Sequence, residues 1–132
     1  MDASDSADRP IVRRPLVYIV DDEPVILELV ARCLAKAGYR AATFESPVVA
    51  CSAFALAEPK PDLLIVDYTM PEMDGLELLS RCRALAPNVK SLSVSGTLTD
   101  ELLRDSEVRP DGCLRKPFVP AALLAAVREL LG

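Results

Sequence analysis

The feature that most constrains this chain is an alternation repeated along it. Short apolar or β-branched runs end at a polar or acidic residue, and a helical pattern follows most of them. The runs fall at residues 16–20, 40–44, 63–66, 89–94 and 113–115. The third is the clearest. Leu63-Leu64-Ile65-Val66 has the length and composition of a buried parallel strand and stops at a carboxylate, Asp67. Tyr68 to Gly75 then carries Pro71 and an Asp-Gly pair, both turn signals, before Leu76, Leu78, Leu79 and Cys82 resume helical spacing. Five strands alternating with five helices predict an α/β fold, a doubly wound single parallel sheet with right-handed crossovers. Ligands of such sheets sit in the crevice beyond the carboxyl ends of the strands. The last residue of each run is therefore a candidate for chemistry.

Between the runs the signals are local. Residues 1–15 mix Asp, Ser, Ala and Arg without a period, which predicts a mobile tail before one domain over residues 16–132. Pro24 suits the first turn of a helix carrying Ile26, Leu27, Val30 and Leu34, and Gly38 suits its end. Ser46-Pro47 reads as an N-cap and first turn for a helix to about residue 57. Thr97-Leu98-Thr99-Asp100 fits a capping box for a short helix to about residue 104. Arg109-Pro110-Asp111-Gly112 reads as a turn before the last short strand. Lys116-Pro117-Phe118 leads into an Ala- and Leu-rich final helix, for which Val119 is a poor cap.

Composition removes several functions. The chain has 132 residues, one domain's worth, and 51% apolar residues, so it can bury a core. A net charge of −5 argues against nucleic-acid binding through the phosphate backbone. The absence of histidine removes the commonest acid–base group and metal ligand. Cys33, Cys51, Cys82 and Cys113 form no Cys-x-x-Cys pair and read as small core hydrophobes of a reducing compartment. No apolar run is long enough to span a bilayer. Arg13-Arg14 before an apolar stretch is not a signal peptide, because Asp21-Asp22-Glu23 interrupts it at once. A cytoplasmic protein without membrane insertion is expected.

The predicted topology gathers Asp21 and Asp22 from strand one, Asp67 from strand three, Ser95 from strand four and Lys116 from strand five. Three carboxylates this close repel, so a proton or a cation must relieve them. An all-oxygen set with open positions suits Mg²⁺. Asp67, expected to face solvent, could then attack phosphorus as a carboxylate nucleophile. Lys116 would pair with phosphoryl oxygens, Ser95 would donate to one of them, and Gly96 would leave room beside it. Taken singly, each part has a plainer reading: acids favouring a helix N-terminus, a Ser-Gly turn, a solvated lysine. It is the ordered set, each member at a strand end, that points to phosphoryl chemistry.

The chain resembles the receiver domain of two-component response regulators over about residues 15–131. The resemblance rests on Val20-Asp21-Asp22-Glu23-Pro24, Asp67-Tyr68-Thr69-Met70-Pro71-Glu72-Met73-Asp74-Gly75, Val94-Ser95-Gly96 and Leu114-Arg115-Lys116-Pro117-Phe118. It implies a flavodoxin-like (βα)5 fold with strand order 2-1-3-4-5. It also implies that Asp67 accepts a phosphoryl group from the phosphohistidine of a sensor histidine kinase or a histidine phosphotransfer protein. Mg²⁺ would be held by Asp22, Asp67 and the Thr69 carbonyl, with Asp21 acting mainly through water. Lys116 and Ser95 would complete the site. The surface of the fourth helix, fifth strand and fifth helix would signal to a downstream protein. Kinase docking would use the first helix and the residue after the lysine loop, with Ile26, Leu27 and Phe118 as candidates.

Cys113 stands where the family usually has an aromatic residue, so the response is expected mainly over residues 95–103. Beyond its own phosphotransfer and autodephosphorylation, no enzymatic activity is expected. The family reading is a stand-alone, chemotaxis-type receiver. Its alternatives are a phosphate relay or sink, or a receiver fragment of a hybrid kinase or multidomain regulator. Two other classes fit less well. A phosphohydrolase of the haloacid dehalogenase type would want an acid at position 69, which is Thr. An inert interaction module would be expected to lose Asp67, Lys116 or the Asp21-Asp22 pair, and all are present.

Overall fold

The computed structural model describes residues 14–96 and 107–132. Most of the expected tail, and the short helix expected over residues 97–104, lie outside the described residues. The elements in order are β1 Leu16–Val20, α1 Pro24–Lys36, β2 Arg40–Phe44, α2 Pro47–Leu56, β3 Leu63–Asp67, α3 Gly75–Leu85, β4 Lys90–Ser95, β5 Gly112–Arg115 and α4 Pro120–Leu131. The five strands form one sheet in the order β2-β1-β3-β4-β5, and every neighbouring pair is parallel. The flavodoxin-like arrangement read from the sequence is the one observed.

Strand periodicity explains the two cores. Side chains alternate faces along a strand, so β1 sends Val17 and Ile19 one way and Tyr18 and Val20 the other. In β3, Leu63 and Ile65 separate from Leu64 and Val66 in the same manner. The first set packs with Leu27, Val30 and Leu34 of α1 and Leu123 and Val127 of α4. The second packs with Ala50 and Phe54 of α2 and Leu78, Leu79 and Cys82 of α3. Phe54 is fully buried, edge-on to Tyr18 at a centroid distance of 6.3 Å. Because β3 is covered on both faces, it reads as an unbroken apolar run.

The helix ends follow local chemistry. The Ser46 hydroxyl accepts from the Val49 N–H at 3.3 Å and caps α2, while Pro47 fills the first turn without needing a donor. Asp74 caps α3 by accepting from Glu77 N at 2.8 Å. After α1, Gly38 takes a φ of +94°, a left-handed value that glycine adopts without a Cβ penalty. Val119, ahead of α4, makes no side-chain cap, as its type suggests. These details hold the strand-end loops at one edge, where the acidic residues collect.

Candidate functional site

At the end of β1, the Asp21 N–H donates to the Phe44 carbonyl at 3.1 Å. The Asp21 carboxylate accepts from the Glu23 N–H at 2.9 Å, an Asx-type turn that folds it inward. Asp21 is thus 2% exposed, whereas Asp22 points to solvent. Asp67 closes β3 and is only 6% exposed. This departs from the solvent-facing position expected from sequence. The cause is the β3–α3 loop, which folds back so that Gly75 N–H donates to the Tyr68 carbonyl at 2.9 Å. A Cβ on Gly75 would lie 2.5 Å from the Asp67 carbonyl oxygen, so α3 starts directly against the strand end. Met70 and Met73 are buried beneath the same loop.

From the other side, the Lys116 N–H donates to the Ser95 carbonyl at 3.1 Å, fixing the turn that follows β5. Its Nζ lies 2.8 Å from Asp21 Oδ2, 3.6 Å from Asp67 Oδ2 and 3.7 Å from Glu23 Oε1. Ser95 ends β4, buried. Asp22, Glu23, Asp67, Thr69, Ser95, Gly96 and Lys116 line one shallow open depression. Asp22, Asp67, Thr69, Ser95 and Lys116, expected together from sequence, thus meet at one edge, with Asp21 joined to them through Lys116. Glu23, legible in sequence only as part of a helix start, joins them through Lys116.

The electrostatics follow from burial. Burial, then the neighbouring Asp21 carboxylate, pushes Asp67 from 3.8 up to about 6. Lys116 and the Thr69 backbone N–H act against that rise, and Asp22 adds to it. For Lys116, burial pulls the ammonium down. The hydrogen bond to Asp21 and the charges of Asp21, Asp67 and Glu23 outweigh it, so its pKa is raised. One carboxylate oxygen each from Asp21, Asp22 and Asp67 can be chosen so that all lie within 4.8 Å of one another. Hard oxygen donors, mutual repulsion and an open side fit a small divalent ion that keeps part of its water shell.

A Mg²⁺ titration tests that fit. At tenfold over Kd, binding to the native state alone contributes about 1.4 kcal/mol, which raises Tm by roughly 3–6 °C for a domain of this size. Asp22→Ala is expected to lose most of the rise. The same Mg²⁺-dependent shift in that variant would remove Asp22 from the ligand set.

Two other sequence readings change or gain detail. Leu27, a candidate docking contact, is 5% exposed and belongs to the core, because its helical position faces the sheet. Ile26 and Phe118 are half-buried, and on α1 the large exposed apolar side chains are Val25 and Leu29. The four cysteines are free thiols. Burial pushes the Cys82 thiol up to about 12, with Cys51 adding and Lys60 opposing, so it stays an inert core group. Cys113 is exposed on β5. Among the described residues no helix is long and apolar enough to cross a membrane.

In sequence, Asp74 and Gly75 stand out as a turn signal and as the end of the Asp67 motif, not as a helix start. The missed cue is an Asp three residues before Glu77, an N-cap spacing.

Known proteins share this arrangement. Residues 17–128 match the family described as the response regulator receiver domain. The chain is 32% identical over 121 residues to the transcriptional regulatory protein PrrA of Mycobacterium bovis, covering 91% of this chain and 51% of PrrA. It thus spans about half the length of that relative. It is 30% identical over 117 residues to the response regulator receiver protein CpdR of Brucella abortus, covering 87% of this chain and 95% of CpdR. A crystal structure of a CheY-like receiver domain protein from Methanospirillum hungatei superimposes with a TM-score of 0.83 at 26% identity, covering 90% and 94% of the two chains. Sheet order, the acidic edge and these matches agree: the chain belongs to the response regulator receiver domain family of two-component signal transduction.

Proposed function

We propose that Asp67 is the phosphoryl acceptor of a phosphorylation-activated switch. The observation that carries this reading is a nearly buried carboxylate at a strand end, flanked by two more carboxylates, with one ammonium inside the cluster. An Asp67 carboxylate oxygen attacks phosphorus in line. An O–P bond forms, the P–N bond to the donor phosphohistidine breaks, and its electron pair leaves with the imidazole. Lys116 turns from Asp21 and Asp67 toward the phosphoryl oxygens, and the Ser95 hydroxyl donates to one of them. Asp22, Asp67 and the Thr69 carbonyl, assisted by Asp21, would hold Mg²⁺, which would supply charge neutralisation when bound. Asp67 must be ionised to attack, and a value near 6 leaves it so at neutral pH.

The donor in this reading is a sensor histidine kinase or a histidine phosphotransfer protein. The output is a changed surface around the end of β4, β5 and α4, read by a downstream protein, with no direct nucleic-acid contact. The chain works in the cytoplasm and turns over no external substrate. The same chemistry would serve a relay or sink, or a receiver within a larger regulator.

Acetyl phosphate with Mg²⁺, followed by intact-mass measurement, is the test. A single, lasting phosphate adduct is expected. Fast turnover of many phosphate esters would mark a phosphohydrolase instead, and no adduct at all would mark an inert module.

A further inference from the structure

The loop that carries Asp67 and Thr69 is fastened at a second point. Ser46 Oγ donates to Glu72 Oε1 at 3.1 Å, joining residues on different strand-end loops. Glu72 has a φ of +74°, the one positive value at a non-glycine among the described residues. The Met73 N–H donates to the Pro71 carbonyl at 2.8 Å across it, which closes a γ-turn. An L-residue held in that region costs energy and persists only when its surroundings fix it. Here the buried Met70 and Met73 hold the loop from below, and Ser46 holds Glu72 from outside.

Ser46 is also two residues beyond Phe44, whose carbonyl accepts the Asp21 N–H at 3.1 Å. A chain of contacts therefore runs from the Asp67 loop through Glu72 and Ser46 to the loop that anchors Asp21. We propose that the Glu72–Ser46 hydrogen bond sets the spacing between the Asp67–Thr69 loop and the Asp21–Asp22 loop. Glu72 and Ser46 are then positioning residues for the divalent ion. This rests on the proposed function, since the ion is the one that reading requires.

The test is calorimetric Mg²⁺ binding to the whole protein, with thermal melts as a check on folding. Ser46→Gly and Glu72→Gly both remove the tether. Glycine keeps most of the capping effect at position 46 and accepts positive φ at position 72. Ser46→Thr keeps the hydroxyl, and Glu72→Gln keeps an acceptor while removing the charge. Each glycine variant is expected to weaken Mg²⁺ binding about three- to tenfold, the range of one hydrogen bond, with the double variant no weaker than the worse single. The Thr and Gln variants should stay within about twofold.

Glycine variants that melt cooperatively and bind Mg²⁺ like the wild type would overturn the proposal. So would a Gln variant as weak as Glu72→Gly, because charge and not the tether would then matter. If Ser46→Gly loses its fold, Glu72→Gly decides between the outcomes by itself. A wild-type protein that binds no Mg²⁺ overturns the proposed function and the tether together, whereas normal wild-type binding with unaffected glycine variants removes only the tether.

Discussion

Asp67→Asn is expected to abolish the phosphate adduct, by at least about 100-fold in uptake rate, and at the same time to stabilise the metal-free protein. The first effect follows from losing the nucleophile. The second follows from the shift of Asp67 from 3.8 up to about 6, caused by burial and by Asp21. A native state that resists ionisation is penalised once the unfolded chain ionises. Below about pH 4 both states hold the proton, and variant and wild type should be equally stable. Between about pH 4 and 6 the unfolded wild type sheds its proton first and the native state loses stability relative to the variant.

Above about pH 6 the penalty is complete, roughly 2 kcal/mol after allowing for solvent at the outer oxygen, or a Tm advantage on the order of 5–10 °C for the variant. Melts in EDTA from pH 4 to 8 check this. Saturating Mg²⁺ should shrink or reverse the gap, since it relieves the wild type. An advantage that is flat across the pH range would show that Asp67 is not the group responsible.

The second large effect is expected at Gly75. A Cβ there would stand 2.5 Å from the Asp67 carbonyl oxygen, 3.1 Å from Tyr68 Cα and 3.1 Å from Val66 Cγ1. The nearest two obstacles are backbone, so they cannot swing aside as a side-chain tip would. Gly75→Ala should cost about 3 kcal/mol, the upper end of overpacking in a tight core. To make room, the start of α3 must move away from the end of β3, or the Asp67 backbone must shift out of its way. Adduct formation is expected to slow at least about tenfold in the folded fraction, because small misplacements of a nucleophile are costly.

Gly96→Ala is the control. It borders the same depression, but among the described residues the nearest neighbour of an added Cβ would be the Lys116 carbonyl oxygen at 4.0 Å, so it should change stability by less than about 0.5 kcal/mol. If Gly75→Ala is destabilised yet phosphorylates at the wild-type rate, the close approach supports the fold and not the site.

Much of this is legible in sequence because the residues in question answer to one local rule each. The apolar run of β3 can only be a buried strand, Ser46-Pro47 can hardly be anything but a helix start, and the acids at Asp21, Asp22 and Asp67 fall where parallel strands end. What escapes is set by neighbours distant along the chain. Asp67 reads as solvent-facing because its burial is produced by the return of the loop to Gly75, which no periodicity encodes. Leu27 reads as a surface contact because a helical repeat gives a face but not the width of the buried stripe.

In α2 the same limit is sharper. Val48, Val49 and Leu56 are exposed while Ala50 and Phe54 are buried, so the helix is apolar on every side and its pattern alone does not select an inward face. Glu23 and Glu72 look like ordinary surface acids in sequence. Lys116 and Ser46, which give them roles, are brought close only by the folded sheet.

The contact between Lys116 and Asp21 spans 95 positions and joins the first strand to the loop after the last. During synthesis Asp21, Asp22 and Asp67 leave the ribosome long before Lys116 does. A nascent chain folded as far as β4 would hold three acids with no ammonium between them, the arrangement least suited to ionise Asp67 or to receive a phosphoryl group. Signalling competence is thus expected to be withheld until translation has passed β5. Stalled or truncated products that lack this end are expected to take up no phosphate.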